Sequence, residues 1–293
     1  MMDIGRVGIW TFQFELQPAA VAQEAVAELE ELGYRAVWIP EAVGREAFTH
    51  AGLLLAATRR IVVATGIANI WARDAMCMAA AQKTLTDAYP GRFLLGIGVS
   101  HAPLVEAVRG HRYEKPLSAM RAYLDAMDSA LYMASAPVTE PVRVIGALAP
   151  KMLRLAAERA AGAHPYFVPP EHTAYARSIL GQGPTLAPEQ AVLLETNPSR
   201  AREIARAYMS TYLALPNYVN NLKRLGFSDE DIAGGGSNRL CDAIVAWGDL
   251  EAVRKRVSAH HDAGADHVCV QVLTADAATL PRNQWRELAA ALL

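Results

Sequence analysis

The sequence has few of the features that mark secreted, metal-binding or membrane proteins. Its 293 residues include three cysteines, which lie far apart and without CxxC spacing. We therefore expect Cys77, Cys241 and Cys269 to be buried free thiols. No apolar run approaches the roughly 18 residues of a membrane span, and the opening MMDIGRVGIW lacks the pattern of a secretion signal. We expect a cytoplasmic protein.

Charge of either sign is not in excess. A formal net charge of -2 offers no overall attraction to nucleic acid or to an anionic membrane, so small molecules are the expected partners. The chain also lacks low-complexity linkers, and it has no internal repeat beyond the alternation of predicted strands and helices. With 52% hydrophobic and 20% charged residues it has ample material for a core. We expect residues 1–293 to form one domain.

Short apolar, β-rich runs alternate with longer amphipathic patterns, which is typical of repeated βα units around a parallel sheet. Strands this apolar have both faces covered, as in a (β/α)8 TIM barrel, and an open doubly wound sheet is the alternative. The eight predicted strands are residues 7–10, 36–40, 61–68, 93–99, 142–148, 163–168, 190–196 and 267–273.

Helices are predicted between these strands. The segment APKMLRLAAERAAG has Pro150 just inside its start and Gly162 just past its end, the arrangement that helices prefer. The regular alternation is interrupted once, over residues 197–248 between strands seven and eight. We predict a helical insertion there with a mobile turn at residues 234–236, serving either as plain structure or as a lid or interface.

In a (β/α)8 barrel the active site lies where the strands end at their carboxyl side. Polar and aromatic residues follow the first four predicted strands at this rim. They are Trp10, Glu41, Asn69, Trp71, Ser100 and His101.

The fourth predicted strand contains Gly96 and Gly98 in GIGVSH. A dinucleotide loop would need a third glycine and a placed acidic residue, which this segment lacks. Two interpretations stay open: the glycines serve barrel packing, or they leave room for a flat ring at the barrel mouth.

Two later loops open helices and are therefore candidate anion sites, because a helix N-terminus presents free amides. One contains Lys151 in the first helical turn, and the other contains His172; a helix-end charge and a surface histidine are the alternatives. The residues of these loops are Gly146, Ala147, Leu148, Lys151, Pro169, Pro170, Glu171 and His172.

The segments GRVGIWTF, RAVWIPE, ATGIANIWARD, PGRFLLGIGVSH, YEKPLSAMRAYLDAM and APKMLRLAAERAAGAHPYFVPPEHT resemble the luciferase-like monooxygenase superfamily. Within it the chain resembles most the actinobacterial-type F420-dependent oxidoreductases. The resemblance implies a barrel that holds a flavin or the deazaflavin F420, with its ring in the mouth and its phosphate towards the later loops. Hydride then passes between this ring and a small organic substrate, and the resemblance further implies a homodimer.

Carried over by position, the resemblance implies a non-proline cis peptide in a bulge near Thr65, Gly66 and Ile67. The residues that would line the ring are Ile67, Ala68 and Asn69, with Ser100 and His101 near its reactive edge. The two later loops would hold the phosphate and the tail. His101 is the first choice for proton donor and Glu41 the second, since histidine exchanges protons near neutral pH.

The substrate pocket is expected to be apolar and to suit a small carbonyl, alcohol or imine compound. Trp10, Trp71 and Tyr113 are its candidates, with Phe12 and Phe167, although aromatic residues of this kind also fill cores.

Three alternatives to an F420-dependent oxidoreductase stay open. The first is an FMN-dependent monooxygenase that uses O2; a cationic groove for the acidic F420 tail, formed from Arg73, Arg109, Arg112 and Lys115, would argue against it. The second is a non-catalytic flavin-binding member. The third is a metal hydrolase, which is disfavoured because the histidines and aspartates of residues 260–267 fall at the N-terminal rim. No metal site is predicted.

Overall fold

The computed structural model describes residues 2–293, in which eleven strands form one parallel sheet that curls into a barrel. Neighbouring strands run in the order β10, β9, β11, β1, β2, β3, β5, β6, β7, β8, and β4 pairs with β5. The strands are β1 Val7–Trp10, β2 Ala36–Ile39, β3 Val62–Thr65, β4 Ala68–Asn69, β5 Phe93–Gly98, β6 Val142–Ile145, β7 Gly162–Ala163, β8 Thr185–Leu186, β9 Glu189–Leu193, β10 Val245–Trp247 and β11 Val268–Val272.

The barrel closes through β8 and β9, which follow each other with only residues 187 and 188 between them. The Ala187 amide donates to the Ala163 carbonyl at 2.9 Å, so the chain keeps its pairing across this gap. β8 pairs with β7, and β9 pairs with β11, which in turn pairs with β1. The predicted (β/α)8 architecture is therefore confirmed, and the open doubly wound sheet is excluded.

The predicted count of eight strands differs from the observed eleven for three reasons. Predicted strand three is broken into β3 and β4 by the Gly66–Ile67 peptide, which is cis as the resemblance implies. Predicted strand seven begins earlier, at Thr185, and is likewise divided into β8 and β9. The third addition, β10, was not predicted, because VAW directly follows a helix without a turn signal.

Predicted strand six is strand only at Gly162–Ala163. Beyond it the chain is irregular, and Phe167 has a left-handed φ of 60°. Gly162 was predicted to lie just past the end of a helix; the helix ends at Arg159, three residues earlier, and Gly162 begins β7. A side chain at Gly162 would overlap the backbone of Thr185, so close strand pairing requires this glycine.

Twelve α-helices lie in the described residues. Side-chain caps begin several of them; Asp74, for example, accepts from the Cys77 amide. No helix within residues 2–293 combines the length and the apolar character that crossing a membrane requires. The helices are α1 Ala19–Glu31, α2 Ala47–Ala56, α3 Ala75–Ala88, α4 Pro116–Asp128, α5 Pro150–Arg159, α6 Pro170–Leu180, α7 Pro198–Leu213, α8 Pro216–Arg224, α9 Asp229–Ile232, α10 Asn238–Ile244, α11 Leu250–Asp262 and α12 Arg282–Leu292.

The segment 197–248 contains α7 to α10 and β10. α7, α8 and α10 bury a core of their own that includes Met209, Leu222 and Leu240 and extends to Phe167. That 197–248 is an insertion in a single 293-residue domain stays a prediction.

Alternating strand residues divide the main core into an outer and an inner layer. Val37 and Ile39 of β2 pack against the surrounding helices, whereas Trp38 faces the barrel interior with Trp10. Both faces of the sheet are thus buried, which explains why the strands are continuously apolar. Of the cysteines, Cys241 and Cys269 are buried free thiols as predicted, but Cys77 is exposed on α3.

Candidate active site

A cavity of about 480 Å³ opens at the carboxyl ends of the strands, where the barrel architecture places catalytic residues. Residues that follow β1, β2, β3, β5, β6 and β7 form one part of its wall, and α7 and α8 form the rest. The lining residues are Trp10, Phe12, Pro40, Glu41, Ala42, Gly66, Ile67, Gly98, Val99, Ser100, His101, Leu104, Tyr113, Pro116, Gly146, Ala147, Leu148, Ala149, Met152, His164, Tyr166, Thr211, Tyr212, Leu215, Asn217, Tyr218, Asn220 and Arg224.

Ile67 and two glycines, Gly98 and Gly146, form a flat section of this wall. A Cβ atom at Gly98 would lie 2.7 Å from Ile67 Cδ1, and one at Gly146 would lie 3.2 Å from Ile67 Cγ2. A Cβ atom at Gly96 would instead overlap the Thr65 carbonyl oxygen. Gly96 therefore serves strand packing, whereas Gly98 and Gly146 make room for Ile67 and also line the cavity.

Three predicted ring-binding residues, Thr65, Ala68 and Asn69, support the wall from behind and do not line the cavity. The Thr65 hydroxyl donates to the Gly96 carbonyl at 2.7 Å and accepts from the Gly96 amide at 2.9 Å. Asn69 is buried, and its Oδ1 accepts from the Trp71 amide at 3.0 Å. Their side chains fix the bulge that carries Gly66 and Ile67.

Glu41 lines the cavity, but other groups already engage its carboxylate. Oε2 accepts from the Asn69 amide at 2.7 Å and from Arg73 Nη1 at 3.0 Å, and Oε1 pairs closely with Arg73 Nη2. The side chains of Arg73 and Glu41 are 8% and 4% exposed. This geometry favours Glu41 as a residue that positions the bulge over Glu41 as a proton donor.

Ser100 and His101 both line the cavity immediately after β5. Ser100 has a left-handed φ of 57°, and its carbonyl accepts from the Tyr113 hydroxyl at 3.2 Å. His101 Nδ1 donates to Asn217 Oδ1 on α8 at 3.1 Å. Burial lowers the pKa of His101, against the Asn217 hydrogen bond that raises it. His101 is therefore a neutral imidazole at pH 7, with Nε2 as a proton acceptor.

The start of α5 closes the far end of the cavity. Gly146, Ala147 and Leu148 line it, as predicted for a phosphate loop, whereas the predicted Lys151 side chain is exposed and lies outside the lining. Arg224, in the last turn of α8, also lines the cavity, and its Nη1 donates to Asn221 Oδ1 at 3.0 Å. Arg224 has no sequence signal beyond a basic helix end.

Pro169, Pro170 and Glu171 lie outside the cavity lining, and Glu171 is exposed. His172 is completely buried, so the interpretation as a surface histidine was wrong. Its Nε2 donates to the Leu148 carbonyl at 3.0 Å, and burial lowers its pKa to about 4. His172 thus supports the candidate phosphate loop from behind as a neutral side chain.

Among the predicted substrate residues, Trp10 and Tyr113 line the cavity and Trp71 does not. Trp71 Nε1 donates to the Val99 carbonyl at 3.0 Å, and its ring lies beside a separate surface groove with His111. The cationic groove predicted from Arg73, Arg109, Arg112 and Lys115 is not formed at this cavity: none of the four lines it, and Arg73 is buried in ion pairs with Glu41 and Glu46.

Sequence reasoning missed an aromatic wall built from tyrosines of distant segments. Tyr166, Tyr212 and Tyr218 line the cavity, and Tyr208 lies behind them, as does the buried Glu189. The Tyr166 and Tyr212 hydroxyls are 2.6 Å apart. The only available signal was the four-residue spacing of Tyr208 and Tyr212, which puts both on one face of α7.

The fold is a barrel whose cavity opens at the carboxyl ends of the strands and is bordered by a bulge after strand three. These features define the class of protein. Residues 6–267 match the family model of the luciferase-like monooxygenases, and the chain belongs to this family. The resemblance described above is thereby confirmed.

One curated relative and two solved structures are similar to the chain over nearly its whole length. A Mycobacterium tuberculosis protein provisionally named as a coenzyme F420-dependent oxidoreductase is 27% identical, with 99% of each chain covered. The fold is similar to that of an F420-dependent secondary alcohol dehydrogenase solved with an F420-acetone adduct, with a TM-score of 0.79, 15% identity and 98% and 99% of the two chains covered. It is also similar to a type II Baeyer–Villiger monooxygenase of Pseudomonas putida in complex with FMN, with a TM-score of 0.73, 14% identity and 98% of each chain covered.

Proposed function

We propose that the protein is an F420-dependent oxidoreductase that transfers a hydride between the deazaflavin and a small organic substrate. The observation that carries this proposal is the cavity itself. It combines a flat section at Ile67, Gly98 and Gly146 with an end formed by the start of α5 and Arg224. The Mycobacterium tuberculosis relative and the alcohol dehydrogenase fold neighbour support the choice of F420.

The residues present fit a tricyclic ring with a phosphate tail. Gly66 and Ile67 would support one face of the ring, and Ser100 and His101 would lie at its edge. The phosphate would meet the positive end of the α5 dipole and the Arg224 guanidinium, a combination suited to an anion. Pro150 has no N–H, and the Met152 amide already donates to the Ala149 carbonyl at 3.0 Å. When bound, F420 supplies or accepts the hydride, and the protein's residues position the substrate and handle the proton.

His101 is proposed to orient the substrate oxygen. Its neutral Nε2 accepts a hydrogen bond from the hydroxyl of an alcohol, because Nδ1 is held by Asn217. Apolar and aromatic lining from Trp10, Phe12 and Tyr113 suits a small alcohol or carbonyl compound. We propose further that the protein is cytoplasmic and works as a homodimer.

An FMN-dependent monooxygenase is the second candidate. The similar fold of the FMN-bound monooxygenase favours it. So does the cavity lining, because Arg224 is the single arginine or lysine that lines the cavity within residues 2–293, and the acidic F420 tail requires more than one cationic side chain. The two functions differ in whether oxygen is consumed.

An anaerobic assay tests the proposal. The protein is mixed with reduced F420 and a panel of small aldehydes and ketones, and F420 oxidation is followed by its absorbance. Substrate-dependent oxidation without oxygen is expected. Oxygen uptake with reduced FMN, and no reaction with reduced F420, would instead establish the monooxygenase.

A further inference from the structure

Glu189 is a buried carboxyl group without a cationic partner. Its side chain lies behind the tyrosine wall, 1% exposed, and none of the ion pairs within residues 2–293 involves it. Oε2 accepts from the Phe167 amide at 3.0 Å, and Oε1 accepts from the Tyr208 hydroxyl at 3.5 Å. A buried carboxylate held by neutral donors alone is costly, so the protonated form is favoured.

The surroundings of Glu189 contain only neutral titratable groups. Tyr166, Tyr208, Tyr212 and Tyr218 act on it from the β7 loop, α7 and α8, and Cys269 acts on it from β11. Burial raises the pKa of Glu189 to about 8, against the lowering by its two hydrogen bonds. Burial also raises the pKa of Tyr166 and of Tyr208 well above the ordinary value. At pH 7 all these groups therefore carry their protons.

Hydroxyl groups connect Glu189 to the cavity. The Tyr208 hydroxyl lies 3.5 Å from Glu189 Oε1 and 3.3 Å from the Tyr166 hydroxyl, and its one hydrogen can point to either. The Tyr166 hydroxyl donates to Gln271 Oε1 at 2.7 Å, and Tyr166 itself lines the cavity. The path from carboxyl to substrate is continuous when Glu189 carries its proton on Oε1 towards Tyr208, Tyr208 donates to Tyr166, and the Tyr166 hydrogen turns from Gln271 towards the cavity.

We propose that Tyr166, Tyr208 and Glu189 form a proton-transfer path, with Tyr166 as the group that gives a proton to a substrate carbonyl oxygen. The inference rests on the proposed function and assigns the proton of the substrate oxygen to Tyr166 on the tyrosine wall, while His101 accepts a hydrogen bond from the alcohol hydroxyl. It applies to a ketone or aldehyde and its alcohol.

Every proton and electron is accounted for when the carbonyl compound is reduced. When a bound deazaflavin would supply a hydride to the carbonyl carbon, the carbonyl oxygen would take its proton from Tyr166. Tyr166 regains a proton from Tyr208, and Tyr208 regains one from Glu189, which becomes a carboxylate. After the alcohol leaves, water in the cavity returns the proton to Glu189 through Tyr166 and Tyr208, and alcohol oxidation runs the same path in reverse.

Infrared difference spectra of the cofactor-free protein test the path without any activity. The C=O band of a protonated carboxylic acid is expected to disappear with a midpoint of about pH 8 and to be absent in Glu189→Gln. Tyr208→Phe is expected to move the midpoint to higher pH, because the lost hydroxyl stabilises the carboxylate. Tyr34→Phe is the control, since it removes a buried hydroxyl that donates to the distant Trp285 carbonyl.

Kinetics of the loaded enzyme form the second arm. Tyr166→Phe is expected to lower kcat by about 100-fold, a typical contribution of a positioned acid, with KM unchanged. In the wild type kcat for reduction falls above about pH 8 as Glu189 ionises, and this fall is lost in Glu189→Gln. Tyr34→Phe keeps the wild-type profile.

Two results would overturn the path: a carboxyl midpoint that Tyr208→Phe leaves in place, or wild-type kcat and pH profile in Tyr166→Phe and Glu189→Gln. Failure of the proposed function is a separate result. In that case the wild-type protein would not react with reduced F420, while the infrared arm would still decide whether Glu189 and Tyr208 share a proton.

Discussion

Arg224 and Glu41 both line the cavity but differ in how far other groups already engage their charges. No ion pair within residues 2–293 involves Arg224, whereas the Glu41 carboxylate is occupied by Arg73 and by the Asn69 amide. Sequence position alone predicted Glu41 as an acid, because a carboxyl group after strand two lies at the active rim. Arg73 lies 32 residues after Glu41, and nothing in the sequence indicates that the two side chains form a buried ion pair.

Arg224→Ala is expected to weaken F420 binding by about tenfold, because a charge-assisted hydrogen bond to phosphate contributes about 1.5 kcal/mol or more. Titration of the cofactor by fluorescence quenching measures the loss. Lys223→Ala is the matched control, since Lys223 is the adjacent cation of the same helix and pairs with Asp229 at the surface. Equal weakening in both variants would refute a direct contact.

Glu41→Gln is expected to lower the free energy of unfolding by about 3 kcal/mol, because it leaves the buried Arg73 charge without its main partner. Urea denaturation measures the change. Glu114→Gln provides the control, because its pair with Arg112 is 61% and 87% exposed and is worth at most about 1 kcal/mol. A Glu41→Gln protein as stable as the control would show that the ion pair does not hold the bulge.

At the scale of elements, the interrupted strand three is central, since β3 and β4 place Ile67 against β5 and β6. The glycines of β5 were visible in the sequence, but two explanations stayed open. The structure separates them, because Gly96 meets the Thr65 backbone and Gly98 meets the Ile67 side chain.

Gly96→Ala is expected to destabilise the protein by about 2 kcal/mol, since overpacking a fixed backbone typically costs about 1–3 kcal/mol. Gly52→Ala on α2 should instead stabilise slightly, because its Cβ would be 3.6 Å from Leu85 and alanine favours helix. Thermal melting of both variants checks the contrast. A Gly96→Ala protein with a wild-type melting temperature would contradict the packing role.

The tyrosine wall lies at the same scale and marks the limit of sequence reasoning. Repeated βα units and rim residues follow from local patterns, so the barrel and the His101 region were predictable. The wall joins Tyr166, Glu189 and α7, and these meet only through tertiary packing that no local spacing encodes.

For the whole molecule, buried histidines and Glu189 give stability opposite dependences on pH. A histidine whose pKa is lowered in the folded state takes up a proton when the protein unfolds. The free energy of unfolding therefore falls as the pH drops from about 6.5 towards 4. Glu189 has a raised pKa and so keeps its proton in the folded protein. Its contribution to the free energy of unfolding is therefore lost as the pH rises from about 4.5 to 8. Burial lowers the pKa of His50, His164, His172 and His267 to about 4 and that of His260 to about 3.

Stability is therefore expected to fall steeply below about pH 6.5 and gently above it. Urea midpoints measured between about pH 4 and pH 9 check this profile, and Glu189→Gln should remove the alkaline decline. Unchanged midpoints between pH 4 and pH 6.5 would show that the histidines are not buried in the neutral form.

Whether the barrel cavity holds F420 is decided by titrating the purified cofactor-free protein with F420 and with FMN at one salt concentration. F420 is expected to bind at least about tenfold more tightly, a difference of about 1.4 kcal/mol. Tighter binding of FMN, or binding of neither, would show that the cavity is not an F420 site.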